Sequence, residues 1–264
     1  MTTLSLPPGL NADKILSWGI SSIVFLEKST SEIIKVPRGI KERPEIEVEK
    51  RIYERLSQDG HHCGLLKYLR SETFDDGSAW AIHLVYASKG QLSMFLQEKR
   101  LPHNELETRI RWIKQFGHAL RYIHSKNIIH GDISCNNIFL DENRNARLGD
   151  FAGSSIDGSK LSIACLDSHE PPWSGPLEKA DIFALGSVYY HIMTGLAPYH
   201  ELPGYQIKTL YEKGTYPETT TLDWIGNIIR GCWEGKYDCM EAVVTDIDMQ
   251  GMPIDLRERR QKLI

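Results

Sequence analysis

The side chains best suited to chemistry lie in Ile128–Phe151, IIHGDISCNNIFLDENRNARLGDF. Two short apolar runs, Ile138–Leu140 and Ala146–Leu148, flank the polar turn Glu142–Asn145 and predict a β-hairpin. If that turn closes symmetrically, Asp141 faces Ala146, and Asn137 stands opposite Asp150 at the open end. An amide oxygen beside a carboxylate is a pair of hard ligands suited to Mg2+. Asp132, in the loop feeding the hairpin, can hang over the same place. Taken alone, these residues read equally well as an ordinary solvated turn.

Two further features point to the same kind of site. Lys35 interrupts the apolar run Ile33–Val36, and Glu49 shares the inward face of a helix over Pro44–Leu56 with Ile46, Ile52, Tyr53 and Leu56. A buried charge needs a partner, so each is explained by the other; the alternative puts both on exposed edges. Ser17–Val24, SWGISSIV, has one glycine among small residues, where backbone N–H groups could approach a phosphate, or where the chain simply turns.

The elements that must position these groups change character along the chain. Strands are expected at Ser22–Lys28, Ile33–Val36 and Ala79–Tyr86, around the helix Pro44–Leu56. After Ala87–Gly90 the pattern turns helical. Asn104 with Glu107 opens a helix running to about Ser125, and a second spans Lys179–Gly195. Further helices are expected near Tyr205–Lys213, Thr221–Cys232 and Tyr237–Ile247, with Met249–Ile264 a charged tail or short added helix.

At 264 residues, with 41% apolar and 25% charged residues, the chain suits one soluble unit with two lobes. A net charge of −4 offers no basic field, so no nucleic-acid partner is expected. Five scattered cysteines without a CxxC pair argue against disulfides and zinc, and for an intracellular, cytoplasmic or nuclear setting. Met1–Gly9 lacks a secretory pattern. Ala180–Ala197, with its Asp181 and His191, reads as a buried core helix, so no membrane partner is expected.

Read in order, these residues resemble the eukaryotic-type protein kinase family. The glycine-loop pattern GxGxxGxV falls on Ser17–Val24, retaining Gly19 and Val24, and the strand lysine and helix glutamate fall on Lys35 and Glu49. Leu84–Leu92, LVYASKGQL, is similar to the adenine-binding hinge, with Leu84 as gatekeeper followed by Tyr86 and Ala87. HRDxxxxN appears as His130–Asn137, DFG as Asp150-Phe151-Ala152, APE as Ser168-His169-Glu170, and DxWxLG as Asp181–Gly186. The general look is similar to small divergent kinase-like proteins of filamentous fungi.

The resemblance implies an α+β, bilobal protein-kinase-like fold over 1–264, with a β-rich N-lobe (1–87), a mainly helical C-lobe (88–248) and a tail (249–264). It implies ATP and Mg2+ as cofactors and a protein hydroxyl as acceptor, the protein partner itself being unknown. Lys35 would hold the α/β-phosphates and pair with Glu49. Asp132 would orient the acceptor hydroxyl and take its proton, while Asn137 and Asp150 hold the metal. Val24 and Ile33 above and Phe139 below would sandwich adenine. Phe151 would pack beside His130 under the Glu49 helix, and Asp181 would accept backbone hydrogen bonds from the catalytic loop.

Some positions depart from the pattern. Gly131 replaces the arginine that usually binds a phosphate on the following segment, so no such phosphorylation should be needed. Serines 154, 155, 159, 162 and 168 in that segment read first as solvated loop residues. Ser134 leaves the Ser/Thr or Tyr acceptor class open, and Ile33 and Phe139 add volume to the adenine slot. Ala152 should restrict the backbone where Asp150 turns, and the arginine that usually pairs with the Glu170 position is absent near Tyr237–Cys239. Two other readings stand: a pseudokinase that binds or scaffolds without efficient transfer, and a small-molecule kinase of the aminoglycoside or choline type, which also uses HGDxxxxN.

Overall fold

The β-branched runs of the first third form a five-stranded antiparallel sheet: β1 (Ile15–Trp18), β2 (Ser22–Glu27), β3 (Glu32–Pro37), β4 (Tyr68–Thr73) and β5 (Ala79–Val85), in the order β1-β2-β3-β5-β4. The computed structural model of the chain describes residues 10–73, 79–98 and 105–250. Helix α1 (Arg43–Ser57) joins β3 to β4 and packs on β3, β4 and β5. Strands β1 and β4 were not expected from the sequence. Both lie at the sheet's edges and carry exposed or half-exposed residues, so neither shows a strong apolar alternation.

Residues opposite one another in an antiparallel pair share a face. Val24 faces Lys35, Lys35 faces Ile82, and Ile33 faces Leu84, so these five residues line one side of the sheet. The other side buries a separate small cluster of Ile23, Phe25, Val36 and Ala81. The sheet thus closes one face with its own core and turns the other toward the rest of the protein.

Beyond the sheet follow β6 (Gly90–Gln91), α2 (Leu92–Gln97), α3 (Leu106–Ser125), β7 (Ile128–Ile129), β8 (Ile138–Leu140), β9 (Ala146–Leu148) and β10 (Ser155–Ile156). Helices α4 (Leu177–Thr194), α5 (Gly204–Glu212), α6 (Asp223–Trp233) and α7 (Met240–Gln250) complete the helical part. The α+β division expected from the sequence is present. Asn104 and most of the charged tail lie outside the described residues.

Helix α4 is apolar all round, and every residue from Asp181 to Tyr189 is buried. It is the central post of the helical part, packed by α3 and α6, and it ends where Gly195 takes φ 84°. No helix among the described residues is long and apolar enough to cross a membrane.

Phe183 on this post is fully buried and meets Tyr211 edge-on at 5.3 Å and Trp173 at 6.5 Å. Phe183→Ala should lower stability by about 3–5 kcal/mol, the usual cost of an aromatic-sized cavity. Urea unfolding should show a reduced midpoint with an unchanged slope.

Candidate active site

Lys35 is almost fully buried on the central strand β3, where a cation is tolerated only with partners. It has two. Its Nζ lies 2.6 Å from Glu49 Oε2 and 2.5 Å from Asp150 Oδ1. Burial alone would pull this ammonium down, but the Asp150 and Glu49 carboxylates outweigh it and hold it raised. Burial pushes Glu49 up and Lys35 opposes that push, whereas for Asp150 the lysine wins and the carboxyl falls below its ordinary value. The inward face of α1 is Ile46, Glu49, Ile52, Tyr53 and Leu56, as the helical spacing predicted.

The hairpin differs from expectation by one residue. Observed pairs are Leu140 with Ala146, Phe139 with Arg147 and Ile138 with Leu148. Asn137 therefore stands opposite Gly149, whose N–H donates to the Asn137 carbonyl at 3.0 Å, and not opposite Asp150. The turn is longer because Asp141 Oδ1 accepts from the N–H groups of Asn143 and Asn145, and Arg144 takes φ 58°. Asp150 leaves the strand with φ 63°, and this turn, rather than cross-strand pairing, delivers its carboxylate to Lys35. The strain expected at Ala152 is absent; Asp150 and Gly153 (φ 85°) carry the left-handed conformations instead.

Asp132 and Asn137 are tied together. Asn137 Nδ2 donates to the Asp132 carbonyl and to Asp132 Oδ2, both at 2.8 Å. Burial raises the Asp132 carboxyl, Asn137 counters it, and the charges of Asp150 and Asp181 add to the rise. The loop hangs from Asp181, whose two oxygens accept the N–H groups of His130 at 2.8 Å and Gly131 at 2.9 Å. His130 Nε2 donates to the Gly149 carbonyl at 3.1 Å, and its ring lies 5.2 Å from Phe151. Phe151 meets Tyr53 edge-on at 5.1 Å, and its N–H donates to Glu49 Oε1 at 3.3 Å. Loop, hairpin and α1 are therefore one packed unit.

The remaining predicted positions lie around this unit. Val24, Ile33 and the buried Leu84 share the face of Lys35, and Phe139 is half-buried on β8. Among the connecting residues, Tyr86 N–H donates to the Ser31 carbonyl, while the Ala87 N–H has no acceptor among the described residues. Gly19 sits in the tight turn between β1 and β2, closed by its N–H to the Ser22 carbonyl at 2.7 Å. The N–H groups of Ile20 and Ser21 at the tip have no acceptor among the described residues.

The departures at Gly131 and Glu170 gain a physical explanation. Gly131 takes φ 77°, and a Cβ there would come within 2.6 Å of Leu161. A leucine of the following segment thus covers the place of the missing arginine. Glu170 is exposed and forms no ion pair among the described residues. The base of the segment is held otherwise: the Ser168 carbonyl accepts Ser187 Oγ at 2.6 Å and Tyr211 OH at 3.1 Å, and Trp233 Nε1 donates to Ser187 at 3.0 Å.

Sequence reasoning missed His124. It ends α3, with Nε2 2.9 Å from Asp181 and Nδ1 3.3 Å from Glu178. No local pattern announces it, since Asp181 lies 57 positions away.

Two predictions follow from this geometry. Burial lowers the His124 imidazole, but Asp181 and Glu178 prevail and raise it to about 9. Its stabilisation should be complete below the unfolded value near 6.5 and lost as pH rises through about 9. Urea titrations at pH 6 and 9.5 should differ by roughly 3 kcal/mol from this group, and His124→Gln should remove that difference. Gly131→Arg should destabilise the protein by displacing Leu161, read as a lowered thermal midpoint.

The chain matches the family model "Protein tyrosine and serine/threonine kinase" over residues 33–239, so Gly19 and the first hairpin lie outside the match. It is 30% identical over 159 residues to NUAK family SNF1-like kinase 1 of Mus musculus, covering 56% of this chain and 24% of that protein. It is 31% identical over 198 residues to the probable serine/threonine-protein kinase MARK-B of Dictyostelium discoideum, covering 72% and 27%. Mitogen-activated protein kinase kinase kinase 1 of Arabidopsis thaliana is 29% identical over 176 residues, covering 61% and 28%. The aligned segment spans about a quarter of each of these relatives. With Lys35, Glu49, Asp132, Asn137 and Asp150 all inside the matched range, the chain belongs to the protein tyrosine and serine/threonine kinase family.

Proposed function

We propose that this protein moves the γ-phosphate of ATP to hydroxyl groups of a protein substrate, using Lys35, Asp132, Asn137 and Asp150. The reading is supported by the buried Lys35 ammonium held by Glu49 and Asp150, together with an aspartate, Asp132, that is tied to Asn137 and feels the Asp150 charge.

The residues fit a magnesium nucleotide. Among the described residues no cluster of three or more His, Cys, Asp or Glu side chains is arranged to hold a metal by itself. Magnesium needs no such cage, because it keeps waters and takes phosphate oxygens beside one or two protein ligands. Asp150 supplies one carboxylate, and Asn137, whose Nδ2 is spent on Asp132, keeps its amide oxygen for the metal. When bound, the metal offsets charge on the phosphates.

Lys35 then exchanges its Asp150 contact for the α/β-phosphates while Glu49 keeps it in place. Val24, Ile33, Leu84 and Phe139 enclose adenine, and the Ala87 N–H, which has no acceptor among the described residues, donates to its edge, with Tyr86 beside it. The tip N–H groups next to Gly19 face the phosphates. Asp132 orients the acceptor hydroxyl and receives its proton as the new O–P bond forms and the bond to the leaving ADP oxygen breaks. Its raised carboxyl brings it nearer to neutral pH, which suits a group that must take and release a proton. The five cysteines are free thiols, which supports a reducing compartment such as cytoplasm or nucleus.

Asp132→Asn should leave the ATP- and Mg2+-dependent thermal shift nearly intact while lowering transfer to a protein acceptor by about 10²–10⁴-fold. Lys35→Met should diminish both. In wild type, transfer should fall on the acid side as Asp132 becomes protonated, and the residual activity of Asp132→Asn should lack that limb. Wild-type transfer rates retained by Asp132→Asn would remove the role assigned to this residue.

A further inference from the structure

A buried histidine near the end of the segment after Asp150 lacks the partner that a charge would need. His169 stands at the proline position of the APE pattern and is 1% exposed. Its Nδ1 lies 2.9 Å from Ser168 Oγ, and its Nε2 has no hydrogen-bond partner among the described residues. A neutral imidazole is tolerated here because it holds only one N–H. An imidazolium would carry a second N–H, buried and without an acceptor.

The turn Asp167–His169 packs against α4 and α5. Ser187 of α4 and Tyr211 of α5 donate to the Ser168 carbonyl, and His191 of α4 is the charged neighbour that acts on the His169 ring. The other charged groups of α4 stand at its start: Glu178 and Asp181 pair with His124, and Lys179 with Asp238. Lys208 and Glu212 of α5 are exposed, as are Asp167 and Glu170 on either side of the pair Ser168-His169, and no carboxylate acts on the ring. His191 in turn meets His200 and Arg109. Carboxylates serve only those two, Glu201 beside His200 at 3.0 Å and Glu105 acting on Arg109. Three imidazoles and a guanidinium are thus gathered with no anion for the two inner rings.

We infer that the base of the segment, Asp167–Glu170, is a latch that stays closed only while His169 is neutral, and that mild acid releases it from α4 and α5. The ring takes a proton from solvent as the turn leaves, and the hydrogen bonds from Ser187 and Tyr211 to Ser168 are exchanged for water. Burial, and after it the charge of His191, lowers the His169 imidazole to about 3. Burial, His200 and Arg109 lower His191 to about 4. Both lie below the ordinary value of 6.5, so the closed form excludes protons that the open form binds. Closure is therefore complete above about 6.5 and is lost as pH falls from there toward 3. Between pH 7.5 and 5 the open fraction should rise about 30-fold through His169 alone. Glu170 shares a cavity wall with Gly131 and Ile133, the neighbours of Asp132. If the protein transfers phosphate as proposed, release would also stop transfer; only this consequence rests on that reading.

The test follows amide hydrogen exchange of the intact protein at pH 7.5, 6 and 5, corrected for intrinsic rates. The reporter is the His169 N–H, which donates to the Leu166 carbonyl at 2.7 Å. Transfer is not the readout, because Asp132 gives it an acid limb of its own. Urea unfolding is not used either, since His124 adds an effect of opposite sign. Exchange at His169 should rise at least about 30-fold from pH 7.5 to 5 and return when the pH is restored. In His169→Gln the rise should be about 30-fold smaller. The wild-type ring, followed by proton NMR, should take its charge only as the segment opens, which keeps the inference testable even if the variant does not fold.

An exchange profile that stays flat in wild type would overturn the inference, as would a rise that His169→Gln keeps in full. So would a His169 ring that charges near 6.5 while the segment stays closed. None of these outcomes touches the phosphotransfer reading, which the Asp132 and Lys35 variants test separately.

Discussion

A lysine ammonium buried in the middle of a β-sheet is stable only if carboxylates reach it, and in this protein they come from two separate parts of the chain. Glu49 arrives on α1 and Asp150 from the end of the β8–β9 hairpin, both within 2.6 Å of Lys35. Losing either partner would leave uncompensated charge in a poorly solvated place. The ion group therefore sets where α1 lies on the sheet and how the chain leaves β9. It also holds together the groups that a nucleotide phosphate would meet.

A second buried carboxylate organises the other half of the site. Asp181 projects from α4, the most deeply packed helix, and accepts the backbone of His130 and Gly131 while His124 supplies a counter-charge. Asp132 thereby hangs from the rigid centre of the helical part rather than from a free loop. Between the two carboxylate centres stand the packed rings of His130, Phe151 and Tyr53. Movement of α1 would disturb Phe151, and through it the loop, because close-packed rings transmit displacement.

The segment after Asp150 is held by apolar and neutral contacts. Leu161 covers Gly131, and Ser168 is fixed by Ser187 and Tyr211. No phosphate-binding arginine precedes Asp132, and the packing at that point is already filled.

Much of this was legible in the residues. The inward face of α1 followed from helical spacing, and the pairing of Lys35 with Glu49 followed from the cost of burying either alone. The hairpin strands were read at their observed bounds, but their register was not, because Asp141 closes the turn with side-chain hydrogen bonds that no apolar alternation reports. Edge strands β1 and β4 were missed for a related reason: half-exposed strands lack the contrast on which a period of two depends.

The amino-acid order by itself determined which chemical groups are present and which local elements carry them, since helical and strand periods and the cost of buried charge act over short distances. Only the tertiary structure decided that Asp150 reaches Lys35 through a left-handed backbone turn, that His124 braces Asp181, and that Leu161 occupies the space above Gly131. Each of these joins positions tens of residues apart, or depends on a single backbone angle. Neither leaves a periodic trace in the chain, because both are settled by how whole elements pack.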